Sequence, residues 1–401
     1  MDVPERILEP LPYHLELLDY LKSEERALWN WFSSAQSKAD YTEKLKLDLL
    51  KSSYRLDAEA HPELSESVNE AKARLQLDIP VTLYQAQQSP QLNATLFYIP
   101  GEGHIVFSGP VFTLLNADEI KCVIAHELAH YHLWQRDGGE FHIADRLVHA
   151  VANDPRSTSS HEQTARRYQL YTEIFADRGS LYVSIDANPV ISSLVKMETG
   201  LTQVSAGSYL KQGEEIFANG NVATEGVSHP EAFIRARALS LWQQQAPEAS
   251  DLIQQMIEGI STLDDLDLLG QKRVTATTRE LLRNLLRPKW FQTPATLAHA
   301  KSFFPDFQPA NGTNTASVED LKLRDGKLRE YLCYIMLDFA QVDPELEEAP
   351  LAAAWQLAQQ YKLDEQFEKL AVKELKLRAR DWRRLQDRAA EILAKAEEAS
   401  D

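Results

Sequence analysis

The sequence has little cysteine, no long apolar run and no basic leader. Among its 401 residues only Cys122 and Cys333 are cysteines, too few for a disulfide framework and typical of a reducing compartment. No stretch of about 18 consecutive apolar residues occurs, so no transmembrane helix is expected. The opening MDVPERILEP lacks the basic and apolar parts of a secretory signal. We therefore expect a cytoplasmic protein without an integral membrane segment.

Positive charge is also scarce. The chain has 42 basic and 60 acidic residues, for a net charge of −18. Because phosphate contacts need clustered Lys and Arg, this balance argues against nucleic acid as a main partner. Hydrophobic residues make up 44% and charged residues 25%, the usual mixture of a globular protein.

Composition and apolar spacing predict a mainly helical α+β protein of four parts. Residues 1–77 form an N-terminal helical region, with leucines at helical spacing. Residues 78–245 combine a small sheet with long helices, and residues 246–317 are a helical connector and linker. Residues 318–401 form a C-terminal helical accessory domain. The predicted linkers are the polar segments QQQAPEAS and QPANGTNTAS.

The sheet is predicted from three short runs rich in β-branched and aromatic residues. These are IPVTLYQA, ATLFYIP and HIVFSG, and they are separated by turn-forming residues at Ser89-Pro90 and Gly101-Glu102-Gly103. We expect about three strands.

Two helices follow the predicted strands. Asn116 with Glu119 predicts a capping box at the start of the first helix, which contains HELAH at residues 126–130. The second is predicted over Glu162 to Tyr182, with an interruption near Gly179, and contains EIFAD at residues 173–177.

The HELAH segment carries metal-site chemistry. Residues four apart on a helix share a face, so His126 and His130 can both ligate one ion. Glu127 lies beside them, where its carboxylate can reach a water molecule at the metal and act as general base. The pattern predicts one zinc ion per chain.

The second helix supplies the remaining groups of the predicted site. Catalytic zinc takes three protein ligands and leaves one position open, and Glu173 is the predicted third ligand. Asp177, one turn later, could accept the free ring N–H of a zinc-bound histidine. These parts predict hydrolysis of peptide bonds without a covalent intermediate, with Glu127 moving the proton.

A family resemblance enters with a later motif. HELAH, EIFAD and a Ser228-His229-Pro230 segment followed by Arg235 resemble the zinc metallopeptidases of the CAAX prenyl endopeptidase and HtpX-type group, a gluzincin branch. The resemblance spans roughly Ile79 to Leu241. It implies a gluzincin-type core in residues 78–245, with Asp177 orienting His126.

The same resemblance implies substrate contacts. It places His229 and Arg235 near the substrate oxyanion, and Asn93 and Ala94 on a strand that lines the substrate cleft. The chain departs from the family at Thr95-Leu96, where a phenylalanine is expected after the alanine. Membrane members of the family have transmembrane helices that this sequence lacks, so membrane-embedded substrates are not implied.

Two alternatives stay open at this point. His229 could instead be a fourth zinc ligand, which would make the resting enzyme latent.

The whole chain could be an endopeptidase acting on protein or peptide segments, or a zinc-stabilised scaffold or regulator that binds a protein partner through its helical domains. A structural zinc site needs only ligands, so the presence of Glu127 favours the enzyme. Substrate specificity and oligomeric state are not predicted.

The C-terminal region weakly resembles TerB-like helical domains of the tellurite-resistance type. The similar segment is YLCYIMLDFAQVDPELEEAPLAAAWQLAQQYKL, in which an acidic turn separates two apolar helices. An ordinary acidic loop that caps the next helix explains the same pattern. We expect an accessory or partner-binding domain.

Overall fold

The chain divides into two compact units, Met1–Ile260 and Ser261–Asp401. The computed structural model describes residues 8–34, 38–87, 91–220, 222–259, 263–309 and 326–399. The predicted α+β class is confirmed, because the described residues are mostly helical and contain one four-stranded sheet. The four-part division of the sequence stays a prediction, and most of the predicted linker Gln308–Ser317 lies outside the described residues.

Helices make up most of both units. The first unit contains α1 (Pro12–Ser23), α2 (Arg26–Ser34), α3 (Lys38–Ser52), α4 (Pro62–Arg74), α5 (Val111–Leu114), α6 (Ala117–Gln135), α7 (Glu140–Ala152), α8 (Ser159–Ser184), α9 (Ala187–Thr199), α10 (Ala206–Ala218), α11 (Ala232–Gln243) and α12 (Ala249–Glu258). The second unit contains α13 (Leu268–Leu285), α14 (Pro294–Phe303), α15 (Gly326–Phe339), α16 (Ala349–Gln360), α17 (Asp364–Glu374) and α18 (Ala379–Glu398). Within the described residues, no helix combines the length and hydropathy needed to cross a bilayer.

The sheet lies in the first unit. Its strands are β1 (Ser53–Arg55), β2 (Val81–Ala86), β3 (Asn93–Ile99) and β4 (Glu102–Ser108), in the order β1-β2-β4-β3. β2 and β4 are parallel, whereas β3 and β4 form an antiparallel hairpin. The strand β3 is therefore an edge strand of this sheet.

The three predicted strands are confirmed, and β1 was missed. β1 lies inside the region predicted to be helical and has only three residues, too few to show strand alternation. It exists because it pairs with β2 in antiparallel register, a contact that local sequence does not reveal. The predicted turn at Ser89-Pro90 lies outside the described residues.

The helix that contains HELAH is α6, and its predicted start is confirmed. The Asn116 side chain accepts from the Glu119 N–H at 3.0 Å, and the Glu119 carboxylate accepts from the Asn116 N–H at 2.9 Å. Lys196 from α9 donates to the same Glu119 carboxylate at 2.9 Å, and both side chains are buried. The start of α6 is thereby fixed to α9.

The predicted interruption of the second helix near Gly179 is wrong, because α8 runs unbroken through it. Gly179 instead allows α8 to approach α6 closely. A Cβ atom at this position would lie 2.3 Å from the Ala129 Cβ, closer than two non-bonded carbon atoms can approach. One residue later, the Ser180 hydroxyl donates to the Cys122 carbonyl at 2.8 Å. Small residues therefore set the spacing between the two helices.

We expect Gly179→Ala to destabilise the first unit. The added methyl group must push α8 away from α6, and overpacking of this kind costs about 1 to 3 kcal/mol of unfolding free energy. Gly207→Ala is the matched control, because a Cβ there meets nothing within 4 Å on α10. Denaturant unfolding of both variants measures the difference; equal stabilities would show that this helix contact can relax freely.

Candidate metal centre

Three side chains from α6 and α8 converge at one point. The Nε2 atoms of His126 and His130 lie 3.2 Å apart. Glu173 Oε2 lies 3.5 Å from the first of these nitrogens, and Glu173 Oε1 lies 3.5 Å from the second. These are the residues of the described chain whose ligand atoms could hold one metal ion together.

The residues present fit a zinc ion. Ligand atoms at about 2.0 to 2.1 Å from a tetrahedral zinc lie about 3.3 to 3.4 Å from one another. The two ring nitrogens lie 3.2 Å apart, and each lies 3.5 Å from one oxygen of Glu173, close to that spacing. Glu173 Oε2 is buried and has no hydrogen-bond partner within the described residues, as expected of an oxygen that ligates a cation. Two imidazoles and one carboxylate leave the fourth position open, the arrangement of a catalytic site.

A buried ion pair supports the first histidine. His126 Nδ1 lies 3.1 Å from Asp177 Oδ1, so the carboxylate can hold the ring with Nε2 free for metal. Arg235 from α11 donates to both Asp177 oxygens, from Nε at 2.7 Å and from Nη2 at 2.6 Å. Burial disfavours the charge of Asp177, but Arg235 and His126 outweigh it and lower its pKa.

The Arg235–Asp177 pair was not predicted from sequence. The two residues are 58 positions apart, and no local pattern joins them. In this structure Nε and Nη2 of Arg235 are both directed to Asp177, and Nη2 lies 3.7 Å from Glu173 Oε2. The predicted contact of Arg235 with a substrate oxyanion stays a prediction.

The metal-free charges of the three ligands differ. Burial disfavours the charged ring of His126, but the hydrogen bond to Asp177 and the negative charges of Asp177 and Glu173 raise its pKa to about 10. Burial lowers the pKa of His130 to about 4. Burial also acts against the Glu173 charge, yet the neighbouring His126, His130 and Arg235 hold its pKa below the ordinary range. The free site thus carries one extra proton, on His126.

We expect zinc binding to release that proton. Zinc needs the neutral ring of His126, whereas Asp177 and Glu173 keep this ring protonated at neutral pH in the free site. Affinity should therefore rise with pH, by about tenfold per unit for one displaced proton. Titration calorimetry in buffers of different ionisation enthalpy, done between about pH 6 and 8, should give about one proton per ion. A zinc affinity independent of pH would contradict a protonated His126 in the free site. The same titration of Glu127→Gln removes the contribution of Glu127, whose pKa is about 7.

Glu127 lies next to the ligand cluster and is itself buried. Burial is the main cause that raises its pKa to about 7, and the charge of Glu173 adds to it. His126 and a backbone hydrogen bond from Leu96 act in the opposite direction. A carboxyl group with a pKa near neutrality can both accept and return a proton at physiological pH.

The contact with Leu96 brings the edge strand β3 beside the site. Sequence reasoning missed it because a backbone donor leaves no side-chain signal. Tyr131, the residue after HELAH, fixes the same hairpin: its hydroxyl donates to the Ile99 carbonyl at 3.2 Å and accepts from the Gly101 N–H at 3.0 Å. Asn93 and Ala94 lie at the start of β3, and their predicted substrate contact stays a prediction.

His229 also lies beside the cluster, on the loop before α11. Its Nε2 atom is 3.6 Å from Glu173 Oε1, and its side chain is 56% exposed. Arg166 holds the base of the loop by donating to the carbonyls of Gly226, at 2.9 Å, and Thr224, at 2.8 Å. A fourth ligand and an oxyanion stabiliser both require this proximity, and both roles stay predictions.

Comparison with known proteins agrees with a metallopeptidase site. Residues 57–153 match the SprT-like family. A curated relative, the plastoglobule-localized metallopeptidase 48 of Arabidopsis thaliana chloroplasts, is 28% identical over 193 residues, which cover 44% of this chain and 55% of that protein. The chain thus spans about half the length of this relative. No solved structure matches.

These likenesses support a zinc metallopeptidase superfamily for this chain. They do not single out the CAAX prenyl endopeptidase and HtpX-type group. The SprT-like match includes α6 with HELAH but ends before α8, so the assignment of Glu173 depends on the ligand geometry. The relative's name places that protein in the chloroplast, and the cytoplasmic location of this chain stays a prediction.

Proposed function

We propose that this chain is a zinc-dependent endopeptidase with a gluzincin-type site, as in the CAAX prenyl endopeptidases and HtpX-type proteases. His126, His130 and Glu173 would hold one zinc ion. The observation that carries the proposal is the convergence of these three ligand atoms beside a buried Glu127 whose pKa is about 7. A zinc site that only stabilises a fold has no use for such a carboxyl group.

The positions of these residues support a mechanism in which each has one role. When bound, zinc supplies Lewis-acid polarisation of the scissile carbonyl and activation of a water molecule. Glu127 takes a proton from the attacking water and delivers it to the leaving amine. Asp177, held by Arg235, keeps the Nε2 atom of His126 directed at the ligand cluster. His229 lies close enough to the cluster to act there, as an oxyanion donor or as a displaceable ligand.

The edge strand favours an extended peptide as substrate. β3 pairs with β4 on one side only within this sheet, so its other edge can accept a substrate strand through backbone hydrogen bonds. Leu96, in the middle of β3, lies beside Glu127, which favours a scissile bond opposite this part of the strand. Such pairing requires unfolded or flexible segments.

A digest of casein and of a peptide library by the purified chain tests the proposal. We expect cleavage that a chelator abolishes and that one equivalent of zinc restores. Stoichiometric zinc binding with no cleavage of any peptide would instead support the zinc-stabilised scaffold.

A further inference from the structure

An aromatic cluster lies beside the metal centre and takes no part in metal binding or proton transfer. Trp134 follows His126 and His130 at the same four-residue interval on α6, so it continues the ligand face of this helix by about 6 Å. The His130 and Trp134 ring centroids are 5.5 Å apart. The metal-ligand face of α6 therefore ends in an indole ring.

The edge strand reaches the same place. Tyr98 is two residues beyond Leu96 on β3, which puts both side chains on one face at a separation of about 6.6 to 6.8 Å. The Tyr98 and Trp134 rings meet edge to face, with centroids 5.9 Å apart. The ring centroid of His142 from α7 lies 4.5 Å from that of Tyr98 and 5.9 Å from that of Trp134. Three rings from three elements thus contact one another beside His130.

The cluster is not fully buried, and the indole N–H of Trp134 lacks an acceptor within the described residues. All three side chains keep partial exposure, in contrast to the buried Tyr131 beside them. The Trp134 indole N–H is buried and has no hydrogen-bond partner within the described residues. Buried indole donors usually find an acceptor, so this one is suited to a backbone carbonyl of a bound peptide.

We propose that Tyr98, Trp134 and His142 form a subsite that selects an aromatic substrate side chain close to the scissile bond. The inference rests on the proposed endopeptidase function. A substrate strand paired with β3 places alternate side chains on the α6 side at the same spacing as Leu96 and Tyr98. A side chain of the bound peptide then lies against the cluster, where stacked and edge-to-face contacts favour a flat ring over a methyl group.

Peptide hydroxamates that carry Phe or Ala test the subsite by binding. One pair has the variable side chain on the amino side of the zinc-binding group, and a second pair has it on the carboxyl side. On the zinc-loaded chain we expect the Phe compound of one pair to bind about tenfold tighter or more than its Ala partner. Trp134→Ala and His142→Ala should reduce that ratio to near one and leave the affinity for the Ala compound almost unchanged.

Measurement of the zinc stoichiometry of each variant shows whether the metal centre is intact. Trp31→Ala is the control for removal of a tryptophan side chain far from the cluster in sequence. Trp31 is 62% exposed on α2, and its removal should not change the ratio. The subsite would be overturned by equal binding of the Phe and Ala compounds in both pairs, or by a Phe-to-Ala affinity ratio that is unchanged in both variants. Tighter binding of a compound that carries Arg at the same position than of the Phe compound would also overturn it. Absence of cleavage with the Phe preference intact would refute the endopeptidase and leave the subsite standing.

Discussion

Glu127→Gln should lose nearly all peptidase activity while it keeps its zinc. Glutamine has the shape of glutamate but cannot accept the proton of the attacking water, and general acid–base catalysis contributes about 10² to 10⁴-fold to rates. We expect kcat to fall by about that factor and the zinc stoichiometry to stay at one. Single-turnover peptide cleavage and metal analysis of the same sample measure both.

The pH dependence of wild-type activity is a second test of Glu127 as the general base. Burial raises the pKa of Glu127 to about 7 in the metal-free site, and the positive charge of bound zinc lowers it from there. With zinc bound throughout the measurement, activity should therefore decrease as pH falls below neutrality and Glu127 takes up a proton. Glu162→Gln, an exposed substitution on α8, is the matched control. Full activity of Glu127→Gln would refute the general base.

Glu173→Gln should weaken zinc binding more than any change in the surrounding residues. It removes the only carboxylate among the three convergent side chains. Loss of a residue that hydrogen-bonds a metal ligand, without binding the metal itself, typically costs about 10 to 100-fold in metal affinity. Asp177→Asn provides that comparison within the same chain. Competition with a chromogenic chelator ranks the two affinities.

A check on the fold of Glu173→Gln shows whether weaker zinc binding comes from the lost ligand or from unfolding. Without Glu173 the Arg235 guanidinium still has both of its contacts to Asp177, so the helices should stay packed. Circular dichroism should therefore be unchanged by Glu173→Gln. If the variant binds zinc as tightly as Glu162→Gln does, another residue supplies the third ligand, and His229 is then the first to substitute.

The convergence of His126 and His130 could be predicted because the two residues lie four positions apart on one helix. His126 and His130 share a face of α6 wherever that helix lies, and the Asn116–Glu119 box identifies the helix locally. The position of Glu173 beside them could be predicted because a catalytic zinc needs a third ligand and the EIFAD segment of the next long helix carries this carboxylate. Neither inference needed knowledge of the distance between the helices.

That distance is what the sequence could not supply. The close approach at Gly179 was interpreted as an interruption, because a glycine weakens a helix unless a neighbour requires its missing side chain. Leu96 beside Glu127 and the Arg235–Asp177 pair depend on where β3 and α11 pack against α6 and α8. Such contacts join residues far apart in sequence, and only the folded chain reveals them.

The contact between Ala129 and Gly179 also determines how the ligands can separate. It lies one residue from His130 and two residues from Asp177, so fraying of a helix end does not part the two ligand-bearing segments. They separate only when α6 and α8 come apart, which opens the interior of the first unit. Backbone amide protons of HELAH and EIFAD should therefore exchange with solvent only through near-global unfolding, whereas those around His229 exchange through local opening of the loop. The ligand frame is the slowest part of the site to open, and the loop that faces it is the fastest.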